Sequence, residues 1–125
     1  MIALQVVVLC VAGGIGAALR FVVDGAIRTR TSGSYPVATT VVNVSGSLLL
    51  GLVTGLVLGA HLSHGWQLVV GTGLLGGYTT FSTASVETVR LFEERRYLAA
   101  TMNGLGMLLL ATVAAAAGYA LGLLL

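Results

Sequence analysis

The chain has 125 residues, 57% of them hydrophobic and only 8% charged, with a mean hydropathy of +1.02. That leaves too little polar surface to cover a soluble globule, so lipid is the expected surroundings. Six Arg, no Lys, three Glu and one Asp give a net charge of +2, too small and too confined for a nucleic-acid footprint.

The first apolar run, about residues 2–23, is long enough to span a bilayer. It has no basic n-region and outlasts a signal-peptide core, so it is expected to stay as a helix. Cys10, the single cysteine, permits no intrachain disulfide and is expected to be a packing residue. Gly13, Gly14 and Gly16 thin one face for close helix contact. A hydrophilic loop is expected over Asp24 to Ser34, after which Pro36 suits the start of a second helix, about residues 36–59. Ser47, Gly51, Gly55 and Gly59 recur every fourth residue along it and form a small-residue ridge.

His61 and His64 fall in the loop before Trp66, an interfacial type of residue, and read as solvated side chains rather than metal ligands. The third apolar stretch covers about residues 66–90, and a charged segment, Leu91 to Arg96, precedes the fourth, about residues 97–125. The expectation is one all-α membrane domain of four transmembrane helices. With four spans, all six arginines (Arg20, Arg28, Arg30, Arg90, Arg95, Arg96) flank the first and third loops, and none flanks the second loop or the termini. By the positive-inside rule both termini are predicted outside the cytoplasm, in a plasma or inner membrane.

Chemistry concentrates in the third stretch. Five of the seven residues from Thr79 to Ser85 carry hydroxyls, and they follow the pair Gly76-Gly77. Paired glycines and β-branched threonines are poor helix formers, so a break near the membrane centre is predicted. Broken backbone survives at that depth only when buried in protein or lining a water-filled path. The alternative is that the hydroxyls simply bond back to carbonyls one turn earlier. On the second helix Thr39, Asn43 and Ser47 repeat at one-turn spacing, an amide and two hydroxyls inside an apolar span. Hydroxyl and amide donors, the positive ring edge of Phe81 and a cationic Arg20 at one mouth lean towards an anion path without identifying the ion.

These residues resemble the Fluc, or CrcB, family of small bacterial fluoride channels, and the likeness covers nearly the whole chain. It is carried by Gly13-Gly14-Ile15-Gly16-Ala17 with Arg20-Phe21, by Thr39, Asn43 and Gly46, and most specifically by Gly76-Gly77-Tyr78-Thr79-Thr80-Phe81-Ser82-Thr83 followed by Glu87. The resemblance implies an antiparallel, dual-topology-type dimer that lets fluoride leave the cell passively, with no catalysis. It also implies a structural, untransported sodium ion held by main-chain carbonyls that match Gly76 and Thr79. Asn43 and Phe81 match pore-lining residues, Arg20 matches an arginine that favours anions at the vestibule, and Thr39, Thr80, Ser82 and Thr83 complete the expected anion path.

Two departures qualify that picture. The family's second pore phenylalanine is Ala84 here, and Met107 and Leu110 stand where hydrophilic pore residues are expected, though Asn103 and Thr112 remain. The arginine bias favours a single orientation, so the partner is expected to be a homologous subunit of opposite bias rather than a second copy. Two other readings stay open: a non-conducting or half-functional partner subunit, and a small four-helix multidrug exporter, which would need an intramembrane carboxylate.

Overall fold

The computed structural model describes residues 1–125 and is helical throughout, with no strand. Three helices are long and apolar enough to cross a membrane: α1 (Ile2–Arg30), α2 (Val37–Leu58) and α6 (Tyr97–Leu124). Between α2 and α6 the chain forms α3 (His64–Trp66), a π-helical segment Gln67–Leu75, the single turn α4 (Gly76–Tyr78) and, past three non-helical residues, α5 (Ser82–Glu93). A second π-helical turn, Met102–Gly106, interrupts α6. Only 20 of 125 residues are buried, and large apolar side chains such as Ile2, Leu98, Leu109 and Leu124 point outward. This is therefore a multi-pass membrane protein whose outer surface is solvated by lipid tails.

Small residues set how closely the helices approach. On α2 a methyl group added at Gly51 would overlap the Ala115 carbonyl, and one at Gly55 the Tyr119 carbonyl; on α6 Gly118 and Gly122 lie likewise against Leu48 and Leu52. The ridge therefore seats α2 on α6, the most extensive pairing in the molecule. It stops short of Gly59, which meets only its own turn and His61. On α1, Gly16 touches the Leu74 carbonyl and Gly13 faces Gly73 and Gly77, whereas Gly14 faces open space.

Three boundaries differ from the sequence expectation. The first helix continues seven residues, almost two turns, beyond residue 23, where Asp24 and Arg28 form a supporting i,i+4 ion pair at 2.7 Å. The loop shrinks to residues 31–36, where Gly33 supplies a turn at φ +98°. The third stretch begins at His64 and its helix ends at Glu93, three residues past Arg90. Cys10 is also exposed on the outer face of α1 rather than packed inside.

Candidate functional site

The break in the third stretch spans Thr79, Thr80 and Phe81; Gly76 and Gly77 are still helical. Thr79 turns extended, with φ −78° and ψ 161°. In an uninterrupted helix the Thr80 N–H would bond to the Gly76 carbonyl. Here it donates to Asn43 Oδ1 at 2.8 Å, and Asn43 Nδ2 donates in return to the Thr80 carbonyl at 2.9 Å. The α2 amide thus acts as a two-point clamp that replaces the helix's own bonds at a buried residue. Its remaining N–H is turned to Met107 Sδ, 3.1 Å away on α6.

The hydroxyl cluster divides into two groups. Thr79, Ser85 and Thr88 bond back to the carbonyls of Leu75, Phe81 and Ala84, as a plain membrane helix would arrange them. Thr80, Ser82 and Thr83 instead bond to one another, with Thr80 Oγ1 3.0 Å from Thr83 Oγ1 and 3.4 Å from Ser82 Oγ, and accepting the Thr83 N–H at 3.1 Å. Phe81 stands out from the break, 87% exposed. A groove of about 960 Å³ runs past Asn43, Ser47, Gly76, Thr80, Phe81 and Met107. Ala84 and Asn103 line it as well; the Asn103 side chain is fully buried and donates to Thr88 Oγ1 at 2.8 Å.

Thr39 is separated from Asn43 and Ser47. It lines a smaller cavity of about 240 Å³ with Arg20, Asp24, Arg28, Thr80 and Thr83. Its hydroxyl donates to the carboxylate of Glu87, a buried residue on α5 whose other oxygen lies 3.9 Å from Arg28. An adjoining cavity continues past Arg28, Ser82, Thr83 and Arg90. Ser34 accepts a hydrogen bond from Arg96, which joins the loop after α1 to the loop after α5. In the sequence Glu87 stands out only as the residue that follows the Gly76–Thr83 stretch. Its partner is 48 residues away, and the one local signal was an acidic residue on the inner side of an amphipathic helix.

The carbonyls at the break have a donor chemistry that suits a hard cation, being neutral oxygens released from helical bonding. Gly76 is exposed, with open space where a side chain would lie, and the Thr80 N–H that would otherwise occupy its carbonyl is held by Asn43. The Thr79 carbonyl accepts Arg20 Nη1 at 3.3 Å and keeps a second lone pair. Two carbonyls per chain, one of them already facing the Arg20 guanidinium, are fewer than hard cations take, so one chain does not complete such a site.

Comparison with known proteins extends these observations. A family model described as CrcB-like protein, Camphor Resistance (CrcB), matches residues 7–119. The chain is 52% identical over 122 residues to "Fluoride-specific ion channel FluC 1" of Leifsonia xyli subsp. xyli, covering 98% of this chain and 89% of the relative. It is 46% identical over 115 residues to "Fluoride-specific ion channel FluC 2" of Cutibacterium acnes, and 41% identical over 113 residues to "Fluoride-specific ion channel FluC 3" of Bifidobacterium longum. Each of these covers 90% of this chain and 93% of the relative.

Proposed function

We propose that this chain, which belongs to the CrcB family, is a fluoride-specific ion channel subunit that lets fluoride leave the cytoplasm passively down its gradient. The observation that carries the reading is the break at Thr79–Phe81, clamped open by Asn43 and facing a largely apolar groove into which Asn43, Thr80 and Asn103 set polar groups. Backbone is left unwound at membrane depth only where it is buried in protein or lines a water-filled cavity. In this reading the stretch from His64 to Glu93 is a fourth, broken span, and the whole chain is one membrane domain.

The anion path is assigned to Asn43, Phe81, Thr80, Ser82 and Thr83, approached through the cavity that Arg20 and Thr39 line. Arg20 supplies positive potential at the mouth. The single hydroxyl proton of Thr39 is directed to Glu87, so Thr39 shapes the approach rather than donating to the ion. Phe81, standing out from one subunit, presents its ring edge to the ion once a partner covers the groove.

Assembly is proposed as an antiparallel dimer, since one chain leaves the groove open and a carbonyl site incomplete. Gly76 and Thr79 of each subunit would hold a sodium ion, which when bound supplies a fixed positive charge at the dimer centre. The arginine bias supports both termini outside the cytoplasm, and with them a partner that is a homologous subunit of opposite orientation rather than a second copy. Ala84, which replaces an aromatic ring in the groove, and the buried Met107 favour a second reading in which this subunit contributes one weakened pore to such a heterodimer. A proton-coupled exporter is disfavoured: Glu87, the buried carboxylate, is bonded to Thr39 and faced by Arg28 near the ends of its helices.

Fluoride efflux from vesicles, run with the chain alone and with a homologous subunit co-expressed, tests both claims. Full efflux by the chain alone, with topology reporters on both sides, would sink the heterodimer.

A further inference from the structure

We propose that the Met107 sulfur is a yielding partner for the second amide hydrogen of Asn43, holding that donor at the anion path until fluoride takes it. The inference rests on the reading of Asn43 as an anion-path residue. Asn43 commits its Oδ1 and one N–H to Thr80, at 2.8 and 2.9 Å, and these two bonds maintain the break. The other N–H is free of that duty. It points to Met107 Sδ at 3.1 Å, in the groove that Thr80, Phe81 and Ala84 also line.

A thioether is a weak acceptor, so this bond is given up more readily than one to a carbonyl or hydroxyl. Fluoride is a compact anion, and hydrogen bonds to an ionised acceptor are roughly twice as strong as neutral ones. Fluoride is therefore a stronger acceptor than the sulfur for this N–H, and can take it while the clamp on Thr80 stays closed. Methionine also has three rotatable side-chain bonds, which let the sulfur withdraw without moving α6. Met107 is 6% exposed, so its sulfur is screened from water in the resting arrangement. Met107 is thus a positioning residue: it acts on the ion through Asn43 and keeps a half-buried donor satisfied between ions.

Met107→Leu removes the sulfur with little change of volume, and Met102→Leu, at a 55% exposed position, is the control. The Asn43 side-chain amide is followed by NMR in the purified full-length protein, with its partner subunit where it has one, as sodium fluoride or sodium chloride is added. The expected result is a displaced Asn43 amide resonance in M107L before any fluoride is present. The half-effective fluoride concentration in M107L should also fall by about 2- to 10-fold, the worth of one neutral hydrogen bond. M102L should match the unsubstituted chain, and chloride should produce no shift.

Three outcomes overturn the inference: an unmoved resonance in M107L, a moved resonance with the same fluoride dependence, or no response of Asn43 to fluoride in either chain. Should M107L lower the unfolding temperature, norleucine in place of all three methionines deletes the sulfur and keeps the shape. Vesicle efflux separates the two levels of the account. A chain whose Asn43 responds as expected but which moves no fluoride with any partner supports the sulfur exchange and refutes the channel.

Discussion

Replacing Asn43 with leucine keeps the bulk of the side chain and removes both halves of the clamp. The Thr80 N–H and C=O then lose their partners at a residue only 7% exposed. Each of the two buried backbone groups left unpaired costs about 1–3 kcal/mol, and local relaxation recovers part of it. The net is about 3 kcal/mol against the native break, a shift on the order of 100-fold in the local opening equilibrium. Hydrogen exchange read by mass spectrometry reports that equilibrium directly. The peptide spanning residues 76–84 should exchange on the order of 100 times faster in N43L, while the α2–α6 ridge keeps its protection. Asn43→Asp, which keeps an acceptor for the Thr80 N–H but sets a second oxygen against the Thr80 carbonyl, should be no better. Unchanged protection of residues 76–84 in N43L would refute the claim that an α2 side chain, rather than local sequence, maintains the break.

Other expectations follow from the same contacts. Gly16→Ala drives a methyl into the Leu74 carbonyl and should lower stability by about 1–3 kcal/mol in thermal unfolding, whereas Gly14→Ala, facing open space, should be close to neutral. Thr39→Val takes the donor from the buried Glu87 carboxylate and should cost about 1–3 kcal/mol, restored by Thr39→Ser; equal stability of the Val and Ser variants would contradict that role. Ala60 holds φ +61° at the end of α2, so Ala60→Gly should raise the denaturation midpoint by about 1 kcal/mol of stability, and a fall would count against strain there.

Much of the architecture is legible in the sequence because it rests on short-range patterns. The four-residue spacing of Gly51 and Gly55 foretold a close helix contact, and those residues do lie against α6. The Gly76-Gly77 pair and the threonines foretold a break in the third stretch. They located it only in part: both glycines remain helical, and the chain unwinds from Thr79, two residues past the pair, where Asn43 captures the Thr80 N–H. That displacement depends on a contact across 37 residues, which no local propensity encodes. The extension of α1 was readable from the Asp24–Arg28 spacing, but the polar composition of the segment masked it. The tie between Thr39 and Glu87 was not readable, nor were the π-helical segments, which arise from packing rather than from residue preference. Thr39, Asn43 and Ser47 share a helix face, yet the first serves the basic cavity and the other two the groove.

The account turns on whether the clamped break conducts fluoride. The most direct measurement is efflux of fluoride and of chloride from vesicles holding the chain alone or with a homologous subunit of opposite arginine bias. The account predicts that fluoride leaves and chloride stays, that the paired preparation is the faster, and that N43L in this chain lowers its rate. Fluoride retained in both preparations, or chloride released as readily as fluoride, would contradict it.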